Sequence, residues 1–184
     1  MTKCNICRSE FQRRSMTHKC CSVECAEIYG REQARKESAK NARAETKARK
    51  EKLKTNSDLA NDAQKEVNKY VNLRDFHTPC ICCGKSPYIG VRHAGHFKSR
   101  GANSFLKFNL WNINSCCYSC NVMKSGNIGE YRPNLIAKLG IEKVAFLEAA
   151  PRSRKFDKEY LLRLKAIFAK KAARQKKKLL LSTN

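Results

Sequence analysis

Two histidines stand three positions apart in a polar, basic stretch of the sequence. The stretch RHAGHFKSRG, residues 92–101, holds His93 and His96 around an Ala-Gly pair, with lysine and arginine close by. A histidine that packs in a core normally has apolar neighbours, which these two lack. Because the imidazole pKa lies near neutrality, such residues can bind a metal, transfer a proton or contact a phosphate. The elements that hold the stretch in place decide among these roles.

Cysteine pairs flank the histidine stretch on both sides. One Cys-x-x-Cys precedes it and another follows it, a spacing typical of a structural zinc site. The predicted ligands are Cys80, Cys83, Cys117 and Cys120. Four thiolates leave no open position for water, so a catalytic zinc is not expected there. The metal would join two distant segments and fix what lies between them, with Cys82 and Cys116 left over.

A second group of cysteines lies in residues 1–25. This segment is too short to bury a sufficient core, so a metal would supply its folding free energy. The predicted zinc ligands are Cys4, Cys7, Cys21 and Cys25. Cys20 could take the place of Cys21, and His18 is another candidate for the fourth ligand. Such a knuckle can bind nucleic acid, bind protein or cap a helix, and the sequence leaves these roles open.

The charge of the chain favours a polyanionic partner. The 184 residues carry 39 Lys and Arg against 16 Asp and Glu, a formal net charge of +23. Each phosphate that such a surface neutralises releases condensed counterions, so nucleic acid is the expected partner. No apolar run approaches the ~20 residues of a membrane span. Solvated basic helices would give the same charge, and this alternative stays open.

The cysteine count indicates a reducing compartment. Eleven is an odd number and fits poorly with a complete disulfide framework. The N-terminus, MTKCNICRSE, has no apolar region of the kind a secretory signal carries. We therefore expect an intracellular protein whose clustered cysteines hold metal.

Composition divides the chain into four predicted segments. Residues 1–25 form a zinc knuckle, 26–75 a basic helical arm, 76–150 the densest core, and 151–184 a basic C-terminal helix and tail. Within the arm, apolar residues repeat at helical spacing over 57–71. That stripe predicts either a dimer interface or packing on the chain's own core. A helix stop is expected at Gly140.

The C-terminal segment is predicted to begin with a capped helix. Asp157 is expected to be its N-cap. Its apolar positions are Leu161, Leu164, Ile167 and Phe168. The end of the chain, KKAARQKKKLLLSTN, is expected to be a frayed basic tail.

The order of histidine, asparagine and a zinc-anchored asparagine resembles the HNH, or ββα-metal, nucleases. The resemblance implies that His96 is the general base, that Asn121 binds Mg²⁺ or Mn²⁺ with help from His93 or water, and that Asn112 orients the ribbon or the base. The expected fold is a mostly helical α+β class with a small zinc-stabilised ββα-metal core. It would carry an N-terminal zinc knuckle, a long basic helix and a basic C-terminal helix.

A closer resemblance covers most of the chain. The stretches PCICCG, AGHF, FNLWNIN, CYSCNVMKSGN and YRPNLIAKLG look like those of the NinG/Rap proteins of lambdoid phages. This family is described as recombination endonucleases that nick branched DNA, including Holliday junctions and displacement loops. An asparagine directly after the last zinc cysteine is also similar to the dimeric phage endonuclease VII resolvases. The resemblance thus implies branched DNA as substrate, and phage recombination proteins as further partners.

One departure from the family pattern concerns the metal ligand. Many such nucleases place an acidic ligand beside the base, and relatives of this chain carry Asp where it has His93. An imidazole suits Mn²⁺ better than Mg²⁺. The spacing between His93 and His96 also differs from the adjacent acid-His pair of typical members, so either histidine could instead contact phosphate.

The remaining basic residues would hold DNA. Lys98, Arg100 and Lys124 are near the candidate centre in sequence and are expected to contact the scissile phosphate. The arm and the tail would grip flanking duplex, and selecting a branch favours a symmetric dimer. Two other functions compete with a structure-selective endonuclease. They are a non-catalytic zinc-containing DNA-binding recombination mediator and a sequence-specific homing or restriction nuclease.

Overall fold

The computed structural model describes residues 1–85 and 92–181 and is mostly helical, with two small antiparallel sheets. This confirms the predicted α+β class. The chain forms two compact units, Met1–Lys54 and Thr55–Asn184. Within the described ranges, no helix is both long and apolar enough to cross a membrane. Residues 86–91 of the predicted core segment and 182–184 of the predicted tail lie outside the described residues.

The first unit consists of a two-stranded sheet and one long helix. Strands β1 (Thr2–Lys3) and β2 (Glu10–Phe11) pair antiparallel and precede helix α1 (Val23–Lys52). The Ser22 side chain caps α1 by accepting a hydrogen bond from the Cys25 backbone N–H at 3.3 Å. Helix α1 buries none of its residues, because it has no apolar stripe to pack.

The second unit begins with helix α2 (Asn56–Arg74), which starts at a capping box formed by Thr55 and Asp58. Helix α2 packs along helix α5 (Lys158–Leu181) and buries an apolar stripe there. The buried apolar residues of α2 are Leu59, Ala60, Ala63, Val67 and Val71. The chain uses this face for its own core, so the stripe is not available as a dimer interface.

The boundary between the units divides the segment 26–75 that composition suggested as one arm. The first unit ends at Lys54, and α2 belongs to the second unit. The physical reason is the apolar stripe, which α2 has and α1 lacks.

A two-stranded ribbon, β3 (Arg92–His96) and β4 (Ile113–Cys117), lies between two apolar cores. The strands are antiparallel, with His96 opposite Ile113. Ile113 joins the core of α2 and α5. Cys116 joins a second core that includes residues of the helices following the ribbon. The ribbon is therefore held on both of its faces.

Three helical elements follow the ribbon. A π-helical turn spans Ser119–Met123, α3 spans Ile128–Leu139 and α4 spans Ile141–Ala149. Gly140 separates α3 from α4 with a φ of 88°, a conformation that favours glycine, and this confirms the predicted helix stop. The buried residues of α3 and α4 are Tyr131, Leu135, Val144 and Leu147.

Helix α5 begins where the sequence predicted and extends further than predicted. The Asp157 carboxylate accepts a hydrogen bond from the Tyr160 backbone N–H at 2.7 Å, as expected of an N-cap. The prediction of a frayed tail from residue 170 is wrong, since the helix continues to Leu181. Ala172 is buried, and the Ala, Lys and Leu residues of this stretch are strong helix formers.

Candidate functional site

The cysteine quartet around the ribbon comes together as its spacing predicted. Cys80 and Cys83 lie in the turn after α2, Cys117 ends β4, and Cys120 lies in the π-helical turn. Their sulfur atoms all lie within 4.8 Å of one another. Around a tetrahedral zinc ion sulfur atoms are separated by roughly 3.8 Å. The quartet is therefore compatible with a structural zinc site that clamps the end of the ribbon.

Backbone amides favour the thiolate form of one quartet member, Cys80, whereas burial raises the pKa of Cys117 and Cys120. Burial acts to raise the pKa of Cys80, but backbone N–H donors, including that of Cys117 at 3.3 Å, hold it below its ordinary value. The two spare cysteines are buried and bond elsewhere. The Cys82 thiol approaches the Gly126 carbonyl at 3.4 Å, and the Cys116 thiol approaches the His93 carbonyl at 3.6 Å.

The N-terminal quartet is also assembled. The sulfur atoms of Cys4, Cys7, Cys21 and Cys25 lie within 4.8 Å of one another. The alternative ligands lie outside this group. The His18 ring packs edge-on against Phe11, and its Nδ1 accepts a hydrogen bond from the Arg14 backbone N–H at 3.3 Å. Both quartets thus fit structural zinc.

The two predicted histidines and the predicted metal-binding asparagine line one cleft. The cleft has a volume of about 340 Å³ and lies beside the ribbon. Its lining residues are Asn68, His93, Ala94, His96, Ser99, Arg100, Asn121, Ser125 and Gly126. Residues that are 53 positions apart in sequence, Asn68 and Asn121, therefore face the same space.

His96 is fixed by a backbone carbonyl. Its Nε2 lies 3.1 Å from the Lys107 carbonyl oxygen, which can only accept, so Nε2 carries the proton and Nδ1 carries the lone pair. Burial lowers the pKa of His96 to about 4, and the nearby Arg100 guanidinium also lowers it, against the effect of the Lys107 carbonyl. The imidazole is therefore neutral at pH 7 and able to accept a proton.

His93 and Asn121 both line the cleft, and Gly95 lies close to Asn121. The Nε2 of His93 is buried and has no hydrogen-bond partner, and its ring packs against Tyr118 at 5.6 Å. A Cβ on Gly95 would stand 3.1 Å from the Asn121 Oδ1 and 2.5 Å from the Cys116 sulfur. The absence of a side chain at Gly95 therefore lets the Asn121 carboxamide lie over the strand.

Asn112 lies outside the cleft and holds the loop that follows β3. Its side chain is fully buried, accepts from the Lys98 backbone N–H at 2.8 Å, and donates to the Lys98 and Leu106 carbonyls at 3.0 and 3.2 Å. Of the three predicted DNA-binding residues, only Arg100 lines the cleft. Lys124 is exposed directly before the lining residue Ser125.

Asn68 is a cleft residue that the sequence analysis missed. Its Oδ1 accepts a hydrogen bond from the Gln64 Nε2 at 2.8 Å, which leaves the Asn68 Nδ2 donors for the cleft. Asn72, one turn further along α2, donates to the Arg92 carbonyl of β3 at 3.2 Å. The sequence signal that could have identified Asn68 is the spacing of Gln64, Asn68 and Asn72. These carboxamides recur every four residues and therefore lie on one helix face, beside the apolar stripe.

Asp75, which the sequence analysis also missed, ties α2 to the ribbon. It is 3% exposed and lies 2.7 Å from Arg74, 3.6 Å from Lys138, and 3.0 Å from the Ser115 backbone N–H that donates to it. Burial acts to raise its pKa, but Arg74 and Lys138 outweigh burial and hold the pKa below its usual value. This buried acid is therefore charged and structural.

The donors in the cleft suit a divalent cation that keeps water ligands. His93 offers an unpartnered nitrogen and Asn121 offers an amide oxygen. No carboxylate is found among the described residues that line the cleft. Two neutral donors hold Mg²⁺ weakly, and an imidazole is better suited to Mn²⁺. Water and a substrate oxygen would have to complete the coordination, so metal binding would depend on the substrate.

Comparisons with known proteins point to one family. The family model described as the bacteriophage lambda NinG protein matches residues 1–179. The chain is 32% identical over 179 residues to protein ninG of Escherichia phage lambda, covering 90% of this chain and 87% of that one. It is also 32% identical to protein ninG of Salmonella phage P22, with 90% and 88% covered, and of Escherichia phage 933W, with 92% and 90% covered. No solved structure matches the chain.

Proposed function

The chain belongs to the NinG family of bacteriophage proteins, and from that premise and the geometry of the cleft we propose that it is a metal-dependent endonuclease that nicks branched DNA. The convergence of His93, His96 and Asn121 on one cleft carries this proposal. A ribbon followed by a helical turn, with cysteines clamping the junction, is the order of elements that the ββα-metal resemblance led us to expect.

His96 is the proposed general base. Its Nδ1 carries the lone pair because Nε2 donates to the Lys107 carbonyl. Nδ1 takes a proton from the attacking water, and the carbonyl stabilises the imidazolium that forms. The negative charge of a bound phosphodiester would raise the pKa of His96 from its low value in the free protein toward neutrality.

Other cleft residues hold the phosphodiester. Arg100 presents a guanidinium to the phosphate, and Asn68 presents amide N–H donors. His93 and Asn121 would hold a divalent ion, which when bound stabilises the charge that develops on the phosphate and the leaving oxygen. Asn112 keeps the loop closed, so that Lys107 stays in place against His96.

The proposed substrate is branched DNA, such as Holliday junctions and displacement loops. The net charge of +23 supports a polyanion, and α1 and α5 present many of the basic residues. Holding two duplex arms at once favours a symmetric dimer. The protein would act in the host cytoplasm with two structural zinc ions per chain, alongside phage recombination proteins.

The test is cleavage of a synthetic four-way junction with Mg²⁺ or Mn²⁺. We expect His96→Ala to lose roughly 100-fold or more of the cleavage rate while keeping junction affinity. His77→Ala is the matched control, because His77 is an exposed histidine that does not line the cleft and its loss should change neither property.

Two other results would replace the proposal. Junction binding without cutting in any divalent ion would indicate a non-catalytic recombination mediator. Cleavage of linear duplex at one defined sequence would indicate a homing or restriction nuclease. If His96→Ala cut junctions as fast as the parent, the assignment of the base would be wrong.

A further inference from the structure

An aromatic pair lies exposed in the second unit, apart from the residues that line the cleft. Trp111, the single tryptophan of the chain, is 41% exposed, and Phe146 of α4 is 45% exposed. Their ring centroids are 5.9 Å apart and the rings are nearly perpendicular. Large aromatic side chains exposed together are typical of a binding surface, because their contact area is left unused in the free protein.

The backbone at Trp111 is held rigidly. Its N–H donates to the Asn109 Oδ1 at 2.8 Å, and its carbonyl accepts from the Asn114 Nδ2 at 3.1 Å. The next residue, Asn112, is fully buried and makes three hydrogen bonds. A side chain on such a backbone loses little freedom when it binds a partner, which favours affinity.

The same loop carries the aromatic residue and positions the histidine. Residues 97–112 connect β3 to β4, and the Lys107 carbonyl in this loop accepts the hydrogen bond from His96. Trp111 stands near the end of the ribbon at which His96 pairs with Ile113. A partner bound to the aromatic pair would therefore be held in a fixed relation to the cleft.

The charge around the pair favours nucleic acid over protein. The loop contains Lys98, Arg100 and Lys107 and has no Asp or Glu, while α4 carries Lys143 together with Glu142 and Glu148, and Glu148 is paired with Arg132. The Lys143 Nζ lies over the Trp111 ring, 5.5 Å from its centroid. A base that stacks on this face would displace the flexible lysine head, which could then meet the phosphate of the same nucleotide.

We propose that Trp111 and Phe146 form a stacking platform for unpaired DNA bases. The proposal rests on the proposed function, because it takes DNA as the substrate. In continuous duplex each base face is covered by its neighbours, whereas the strands that meet at a branch or in a displacement loop expose base faces. The platform would thus select branched over linear DNA without reading a sequence.

The intrinsic fluorescence of Trp111 tests this directly, because no other tryptophan contributes. Without added divalent ion, the protein is titrated with single-stranded oligothymidylate and with a blunt-ended, fully paired linear duplex, while binding is followed by the anisotropy of a label on the DNA. We expect the single strand to quench the emission on saturation and the linear duplex to leave it nearly unchanged. Equal quenching by both, or none by a saturating single strand, would overturn the platform.

Variants provide a second measurement that does not depend on emission. Trp111→Ala should weaken single-strand binding by roughly 5- to 100-fold, and Trp111→Phe should retain most of the affinity because the ring still stacks. Phe76→Ala is the matched control, since Phe76 is 46% exposed and has the Arg92 guanidinium 5.3 Å from its ring centroid. Equal loss from Trp111→Ala and Phe76→Ala would contradict a specific platform.

The two proposals fail separately. Quenching by single strands without cleavage in any divalent ion would retain the platform and reject the nuclease. Cleavage of junctions with no change of Trp111 emission on saturated binding would retain the nuclease and reject the platform. Absence of binding to any DNA would reject both.

Discussion

The Nε2 of His96 donates to the carbonyl oxygen of Lys107 at 3.1 Å, across the loop that joins the two strands of the ribbon. This bond settles which nitrogen carries the proton, because a carbonyl can only accept. It also makes the orientation of the imidazole depend on the fold of residues 97–112, which Asn112 holds closed.

The lowered pKa of His96 should be measurable in solution. Burial lowers it to about 4, so one imidazole should titrate well below the ordinary value of 6.5 in an NMR pH series. The same resonance should be absent from His96→Ala. The pKa of His96 is lower in the folded state than in the unfolded state, so its stabilising contribution is fully present above pH 6.5. As pH falls toward 4, the free energy of unfolding should drop by about 2–3 kcal/mol. A midpoint at or above 6.5 would contradict the buried, neutral imidazole.

A side chain at Gly95 should disturb Asn121, the proposed ligand of the divalent ion. Gly95→Ala places a Cβ 2.5 Å from the Cys116 sulfur and 3.1 Å from the Asn121 Oδ1, so one or both must move. We expect at least a ~10-fold lower junction cleavage rate and a higher Mn²⁺ requirement. Gly101→Ala is the control, since a Cβ there meets nothing within 4 Å. Parent-like kinetics in Gly95→Ala would show that Asn121 does not need its present position.

Asn68 should behave as a donor to the substrate phosphate. We expect Asn68→Ala to lower kcat/KM for junction cleavage by about 10-fold, and Asn68→Asp to lower it further because a carboxylate repels phosphate. Asn61→Ala, on an exposed position of the same helix, should have no effect. If Asn68→Asp instead lowers the Mn²⁺ requirement, the Asn68 side chain faces the metal with its oxygen.

The two quartets should bind two zinc ions per chain, measurable by elemental analysis. Cys117→Ser should lose one zinc ion and much of the stability of the second unit, because it removes a shared ligand of distant segments. Cys116→Ser should keep both ions and cost far less, since its sulfur lies outside the quartet. Comparable damage from both variants would mean that the ligand set includes Cys116.

Loss of the Asp75 charge should destabilise the second unit. Asp75→Asn leaves the Arg74 and Lys138 cations without their buried partner, at a cost of about 2–4 kcal/mol in urea unfolding at pH 7. The folded state lowers the pKa of Asp75, so Asp75 stabilises the fold fully at any pH above the ordinary Asp pKa near 4. This stabilisation is lost as pH falls through the lower folded-state pKa of Asp75. The gap between parent and variant should therefore narrow in acid. Glu142→Gln, an exposed change, should stay within about 0.5 kcal/mol of the parent.

Local rules explain what could be predicted. A tetrahedral metal needs closely paired ligands, so the spacing of Cys80, Cys83, Cys117 and Cys120 was sufficient to identify one quartet. Helix termini at Asp157 and Gly140 follow from capping chemistry and from the conformational freedom of glycine. The helical continuation to Leu181 was missed because charge and chain end suggested fraying, whereas this stretch is rich in helix formers, Ala172 is buried and Lys171 lies over the Tyr70 ring of α2.

Spacing along the chain was enough to predict the α+β class, both cysteine quartets and the histidine stretch, because metal ligation and secondary structure follow local patterns. The packing of the folded chain established that the stripe of α2 faces its own chain, that Asn68 lines the cleft, that Asp75 joins α2 to the ribbon, and that Trp111 contacts Phe146. These relations join residues that are distant in sequence. They depend on how the helices pack around the ribbon. A local sequence pattern shows which face of a helix or strand is apolar, but not which element packs against that face.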